Sequence, residues 1–139
     1  MMVFNTKPGL VNRVVLKGGR YVIPRNDGRV LVGSTLERVG FNKEATDEAH
    51  ASLYDTALSI VPALKDYPVE HHWAGLRPGS PEGVPYIGLV PGFTGLSVNA
   101  GQFRNGLVLA PASTRLHSDL LLGRSPVIDP EPYQLHGRI

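Results

Sequence analysis

One arginine occupies a position suited to carboxylate binding. Arg77 ends the apolar run 73–76 and precedes a Pro-Gly loop. A guanidinium forms two parallel hydrogen bonds with a carboxylate, so this side chain could bind an acidic ligand. For Arg77, an ion pair with a buried carboxylate of the protein itself is an equally good interpretation of the spacing.

The loop 101–106 and the apolar stretch after it predict a second kind of site. Gly101 and Gly106 allow the backbone to approach a ligand closely. A helix is predicted for 107–122, and the free amide groups of a helix N-terminus attract an anionic or electron-accepting group. An ordinary turn from strand to helix is the alternative interpretation.

Metal binding and nucleophilic catalysis are disfavoured. His71 and His72 are adjacent on a predicted strand, where neighbouring side chains point to opposite faces and cannot bind one ion. Ser113 and His117 share a helical face, but no third orienting group or exposed elbow accompanies them. The chain contains no cysteine, which excludes thiolate nucleophiles, iron–sulfur clusters and cysteine-ligated zinc.

The composition is that of a folded, soluble domain. Of 139 residues, 42% are hydrophobic and 19% are charged, which excludes a disordered chain. The 14 basic and 12 acidic residues leave a net charge of +2, too small for a nucleic-acid-binding surface. No apolar run reaches the roughly 18 residues of a membrane helix, and the start lacks the features of a secretory signal. We therefore expect a cytoplasmic protein without nucleic-acid or membrane partners.

The first half of the chain predicts a small antiparallel sheet. Strands at 20–25 and 29–34 flank Asn26-Asp27-Gly28, a typical hairpin turn in which the glycine can adopt a positive φ. An earlier strand is predicted at 11–16, with Gly18-Gly19 as the turn into the hairpin.

A helix is predicted after this sheet. Thr46 is a suitable N-cap, and Pro62 should end or kink the helix near residue 60. The apolar stripe comprises Ala49, Leu53, Ala57, Ile60 and Leu64. Its spacing of three and four residues predicts one buried face.

The second half predicts three strands and one long helix. The strands are predicted at 69–77, 86–90 and 96–100. A loop rich in proline, 78–85, separates the first two. The helix 107–122 should end at Gly123, a typical C-cap glycine, and Pro111 is placed in its first turn.

Three motifs carry a family resemblance. They are Tyr-Val-Ile-Pro-Arg at 21–25, Trp-Ala-Gly-Leu-Arg-Pro at 73–78 and Asn-Ala-Gly-Gln-Phe-Arg-Asn-Gly at 99–106. In order and spacing they resemble the C-terminal part of the glycine-oxidase type within the D-amino-acid oxidase family of flavoproteins. The resemblance covers essentially the whole chain.

The resemblance implies an α+β arrangement within a larger α/β protein. An antiparallel-sheet substrate domain would occupy about 1–90, and the C-terminal strands and helix of an FAD-binding domain would occupy about 91–139. The implied activity is FAD-dependent oxidation of glycine or another small amino acid or amine. The products are the imine or oxo acid and hydrogen peroxide, and a role in thiamine biosynthesis follows from the family alone.

The resemblance also implies roles for individual residues. Arg77 matches the arginine that pairs with the substrate carboxylate, and Arg104 matches a second arginine on the substrate side. Tyr21 matches an aromatic residue that lines the substrate pocket. No side chain is implied as a catalytic acid or base, because the hydride passes directly to the flavin. The stretch expected around the flavin ring comprises Gln102, Phe103, Arg104, Asn105, Gly106, Leu107 and Val108.

One family feature is missing from the sequence. No Gly-x-Gly-x-x-Gly fingerprint is present to bind the FAD pyrophosphate. We therefore expect an incomplete FAD site, with the other half removed by truncation, supplied by a separate chain, or lost. Self-association through uncovered apolar surface is a further expectation. The alternative hypotheses are a non-catalytic carboxylate-binding module and a fragment without oxidase activity.

Overall fold

In the computed structural model, which describes residues 1–138, the chain divides into two units, Met1–Leu76 and Arg77–Ile139. The first unit contains five strands and one α-helix. The strands are β1 (Met2–Asn5), β2 (Val15–Lys17), β3 (Arg20–Pro24), β4 (Arg29–Gly33) and β5 (Val69–His72). Helix α1 spans Asp47–Ile60 and is followed by a short 3₁₀ helix, Pro62–Asp66.

The five strands form one antiparallel sheet in the order β2-β3-β4-β1-β5. Strand β1 lies between β4 and β5, and its Met2 and Phe4 side chains are completely buried. The register between β1 and β5 shifts between Val3 and Phe4, which marks a bulge. The start of the chain is therefore an interior strand of the sheet.

The predicted hairpin is confirmed. Pro24 pairs with Val30 across the turn, and the Arg25 amide donates to the Arg29 carbonyl at 2.8 Å. The strand predicted at 11–16 is shorter and later than expected, because regular pairing with β3 begins only at Val15.

The predicted cap of α1 is confirmed, as is the buried centre of its stripe, whereas Leu64 of the stripe is buried in the 3₁₀ helix that follows. The Thr46 hydroxyl accepts a hydrogen bond from the Ala49 amide at 3.2 Å. Leu53 and Ala57 are completely buried in one cluster with Met2 and Phe4 of β1. Helix α1 ends at Ile60, two residues before Pro62, as the missing proline amide requires.

An arginine of the sheet ties α1 to it. The Arg20 guanidinium donates to the Ser52 carbonyl at 2.7 Å, and to the Ser52 and Thr56 hydroxyls at 2.8 Å each. These bonds fix the helix against β3, the strand that carries Tyr21.

The second unit is a hairpin with a helix packed on it. Strands β6 (Tyr86–Leu89) and β7 (Ser97–Ala100) pair antiparallel, and α2 spans Gly106–Leu121. A short 3₁₀ helix, Glu131–Tyr133, lies in the tail that follows α2. None of the helices in residues 1–138 is long and apolar enough to cross a membrane.

Two details of the second half differ from the prediction. Strand β5 stops at His72 rather than continuing to Arg77. Because α2 begins at Gly106, Pro111 lies in its second turn, where its missing amide leaves the Leu107 carbonyl without its helical partner. The prediction for Gly123 is confirmed: it has a φ of 64°, and the Arg124 amide bonds to the Asp119 carbonyl at 2.8 Å.

The predicted boundary near residue 90 between substrate and FAD-binding domains stays a prediction. The boundary between the two units lies earlier in the chain, between Leu76 and Arg77. Strand β6 therefore belongs with β7 and α2 in the second unit.

The hairpin turn allows a test of the sheet. Gly28 has a φ of 93°, and a Cβ there would lie 2.5 Å from the Thr6 carbonyl oxygen. Gly28→Ala should lower the free energy of unfolding by about 2 kcal/mol or more, combining left-handed strain with a backbone clash. Gly40→Ala is the matched control, since Gly40 has a φ of 63° and open space around it. Urea titration should show the larger loss for Gly28→Ala, and equal losses would contradict the clash.

Candidate functional site

The loop after Arg77 is joined to the loop that carries Arg104. The Phe103 amide donates to the Pro78 carbonyl at 3.0 Å. Gly101 packs beside Ser80, since a Cβ on Gly101 would lie 3.4 Å from the Ser80 Cβ. The structure therefore brings together two segments that are 27 positions apart (104 − 77).

The backbone of the second loop is held in an unusual conformation. Phe103 has a φ of 46°, and within residues 1–138 it is the one non-glycine residue with a positive φ. Such a conformation costs of order 1–3 kcal/mol and persists where surrounding contacts hold it. Here the Asn105 amide donates to the Gln102 carbonyl at 3.0 Å, and the Gln102 amide group donates to the Asn99 side chain at 2.6 Å.

The first turn of α2 has no side-chain cap. Asn105 occupies the N-cap position, but its side chain accepts no hydrogen bond from the turn. Asn105 therefore provides no side-chain acceptor for the amides of Gly106, Leu107 and Val108. Leu107 and Val108 are 92% and 81% exposed, which is unusual for two adjacent apolar residues.

The predicted site residues fall into two groups. Arg77, half-buried, and the stretch 102–108 belong to the second unit, where the Phe103–Pro78 bond joins their loops. Arg104 is exposed. Tyr21 belongs to the first unit, where its hydroxyl lies 3.3 Å from the Met1 sulfur. The convergence of the Arg77 and Arg104 guanidiniums, and the sharing of a pocket with Tyr21, stay predictions.

The structure gives the adjacent histidines separate surroundings. The His71 ring stacks on Trp73 at 5.5 Å, whereas the His72 ring meets His50 edge-to-face at 5.2 Å. Within residues 1–138, no three potential ligands among His, Cys, Asp and Glu are grouped to hold a metal ion. Ser113 is buried, and its hydroxyl donates to the Leu109 carbonyl of its own helix at 2.9 Å.

The partial burial of His72 should make the first unit sensitive to acid. Partial burial lowers the pKa of His72, and repulsion from the amino terminus, His50 and His71 lowers it further, against a weaker opposite effect of Asp47. The unfolded chain takes up this proton near pH 6.5, whereas the folded chain takes it up only at lower pH. The contribution of neutral His72 to the free energy of unfolding is thus fully present above about pH 6.5, and it is lost as the pH falls through the lowered pKa of the folded state.

Denaturant titration at pH 7.5 and 5.5, followed by Trp73 fluorescence, should show lower stability at pH 5.5. His72→Gln should reduce this dependence. His136→Gln, at an exposed position, should keep it. A wild-type pH dependence in His72→Gln would assign the effect to another group.

The comparison with protein families decides which family this is. The model described as DAO, FAD dependent oxidoreductase, matches residues 2–120. The chain belongs to this family. It is 57% identical over 139 residues to glycine oxidase of Pseudomonas aeruginosa, covering 100% of this chain and 38% of that protein.

Two further relatives agree. The bifunctional protein ThiO/ThiG of Synechocystis sp. is 38% identical over 124 residues, covering 88% of this chain and 19% of that protein. The crystal structure of glycine oxidase from Geobacillus kaustophilus superposes with a TM-score of 0.89 at 29% identity, covering 99% of this chain and 38% of that one. The predicted α+β arrangement is thus confirmed as part of a glycine-oxidase-like fold, and the chain spans 38% of the first relative's length.

The residues at the start of α2 fit one part of the family's cofactor. Uncapped amides at a helix N-terminus suit the polar, electron-rich edge of a flavin ring. The loop before them carries the positive φ of Phe103, at 46°. For the pyrophosphate the fit is absent, since residues 1–138 contain no glycine-rich strand–turn–helix that would bind it.

Sequence reasoning missed one residue near this site. Arg138 lies in the tail that follows α2, and its guanidinium bonds to the loop that follows Arg77. Its one sequence signal is indirect: three of the eight residues in 78–85 are prolines, which have no amide hydrogen to donate.

Proposed function

We propose that this chain forms the carboxylate-binding side of an FAD-dependent oxidase for glycine or another small amino acid. The observation that carries this proposal is the bond between the Phe103 amide and the Pro78 carbonyl. It places the loop of Arg77 beside the loop of Arg104, at the uncapped start of α2. The glycine oxidases to which the chain is similar support the choice of substrate class.

In this proposal the two arginines hold the substrate. Arg77 and Arg104 bind its carboxylate through charge-assisted hydrogen bonds, and Tyr21 stays a predicted contact of the substrate. When bound, FAD supplies the two-electron acceptor for oxidation of the amine, and oxygen regenerates it with release of hydrogen peroxide. The chain's own contribution is orientation of the α-carbon and the field of the α2 amides. It needs no acid or base side chain.

The cofactor requires more protein than this chain contains. The curated relative is more than twice as long, since the chain covers 38% of it. We infer that the pyrophosphate is bound by family sequence outside these 139 residues, on a longer chain or on a separate one. The similarity to a ThiO/ThiG protein supports a place in thiamine biosynthesis.

The proposal is tested by adding the part of the family fold that this chain does not cover. The chain is produced alone, and together with the portion of Pseudomonas aeruginosa glycine oxidase that it does not cover. Alone, it should keep no FAD through gel filtration and should self-associate. Together, the pair should retain flavin absorbance and release peroxide when glycine is added.

The opposite results separate the alternatives. A chain that holds stoichiometric FAD alone as a monomer would contradict the incomplete site. A flavin-containing pair that binds small carboxylates but oxidises no amino acid would support the non-catalytic module instead.

A further inference from the structure

The loop between Arg77 and β6 makes few hydrogen bonds through its own backbone. Prolines at positions 78, 81 and 85 have no amide hydrogen to donate. Among residues 1–138, two backbone bonds hold it: the Gly83 amide donates to the Ser80 carbonyl at 3.1 Å, and the Pro78 carbonyl accepts from the Phe103 amide. The second half of the loop therefore depends on donors from elsewhere.

Those donors come from one side chain at the far end of the sequence. The Arg138 guanidinium donates to the carbonyls of Val84 at 2.7 Å and Pro85 at 3.1 Å. It also donates to the Pro132 carbonyl and the Glu82 carboxylate, at 3.1 Å each. The Arg138 side chain is only 16% exposed, whereas that of Glu82 is 59% exposed. The bonds to Glu82 and to the Pro132 carbonyl are thus the exposed contacts, and the bonds to the Val84 and Pro85 carbonyls are the more buried ones.

Contacts with Tyr86 complete this arrangement. The guanidinium carbon lies 4.3 Å from the centre of the Tyr86 ring, in cation–π geometry. The Tyr86 hydroxyl donates in return to the Arg138 carbonyl at 3.2 Å. The tail is therefore bonded to the loop and to the first residue of β6 together.

We propose that Arg138 is a positioning residue for the carboxylate-binding site. It fixes the 82–85 end of the loop, while the Phe103 amide fixes the Pro78 end, next to Arg77. With both ends held, the loop keeps one conformation. The backbone from which the Arg77 side chain extends is then held in one position. The functional part of this inference rests on the proposed oxidase function, whereas the loop clamp does not.

The residue type is specific to this task. A planar guanidinium with five donors can meet several carbonyls while its face lies on an aromatic ring. A lysine at the same position keeps the charge but offers one nitrogen, which cannot satisfy acceptors spread over residues 82–85 and 132. Arg138→Lys should therefore restore only part of the effect.

The clamp is tested by amide hydrogen exchange on the 139-residue chain. In Arg138→Ala, amides of the 79–86 segment should exchange at least about tenfold faster, since several charged hydrogen bonds are lost. Arg138→Lys should give an intermediate rate. Arg124→Ala, at an exposed arginine of the same tail, is the matched control and should leave the segment unchanged.

Two exchange results would overturn the clamp. Unchanged rates in the 79–86 segment would show that the loop holds itself. Equal acceleration throughout α2, in both the alanine and the lysine variant, would show that Arg138 supports the whole unit rather than the loop.

The positioning role is tested in the assembled flavoprotein. Arg138→Ala should raise KM for the amino acid roughly tenfold, with a smaller change in kcat and unchanged flavin content. A faster-exchanging loop with an unchanged KM would overturn the positioning role. An assembled wild type that holds FAD but oxidises no amino acid would defeat the proposed function instead, and the exchange rates would still decide the clamp.

Discussion

Replacing Arg77 with alanine is expected to weaken binding of the amino-acid substrate by one to several orders of magnitude in the assembled oxidase. A hydrogen bond to a charged group contributes about 1.5–3 kcal/mol, and a guanidinium can make two to one carboxylate. Each 1.4 kcal/mol is about a factor of ten in affinity. Flavin content should remain that of the wild type, because the role assigned to Arg77 is toward the substrate.

The measurement compares two substrates. Glycine carries the carboxylate, and a simple primary amine lacks it. Arg77→Ala should lower kcat/KM for glycine much more than for the amine, and Arg77→Lys should recover part of the difference. Arg13→Ala, at an exposed arginine of the first unit, is the control and should change neither value.

A different outcome would show that Arg77 stabilises the fold and does not bind the substrate. If the alanine variant unfolds, or loses FAD while its preference for the carboxylate survives, the arginine is structural. The sequence alone supports both readings equally. The bond between Phe103 and Pro78 favours the functional one, because it holds the residue after Arg77 against the loop of Arg104.

Local signals in the sequence predicted the elements that local chemistry determines. The turn at Asn26-Asp27-Gly28 needs a residue that tolerates a φ of 93°, and glycine supplies it. The Thr46 hydroxyl accepts a hydrogen bond from the amide of Ala49, only three residues away. In both cases the residue and the group that it satisfies are close neighbours in the chain.

Long-range pairing could not be predicted in the same way. Strand β1 is interior because β5 pairs with it from about 70 positions later, for example Val3 with His71. The segment Met2–Asn5 shows no sign of that partner. Strand β5 was predicted to reach Arg77 because residues 73–76 are apolar, but its pairing with β1 ends at His72.

The same limit applies to the candidate site. Arg77 was found because its residue type and its place at the end of an apolar run are visible in the sequence, and Arg104 was found through the family motif at 99–106. The clamp by Arg138 was missed because its acceptors are backbone carbonyls, which every residue carries. Pro111 was predicted in the first turn of the helix. Because α2 begins at Gly106, one residue earlier than predicted, Pro111 lies in the second turn.

Replacing both Leu107 and Val108 with aspartate is expected to abolish flavoprotein assembly while leaving the chain itself as stable as the wild type or slightly more so. In the chain these residues are 92% and 81% exposed, at the start of α2, where an acidic side chain gains about 0.3–1 kcal/mol from the helix dipole. In the assembled protein we expect them to lie beside the flavin and the rest of the family fold. Two unpaired carboxylates buried there cost several kcal/mol each, so complementation should weaken by roughly a thousandfold or more.

Urea titration of the chain and flavin retained after gel filtration of the pair measure the two effects separately. Ala63→Asp, which adds a carboxylate near the exposed start of Pro62–Asp66, is the control for charge, and the double asparagine variant separates charge from shape. If the double aspartate variant retained wild-type flavin content, this helix start would face water in the assembled protein as well.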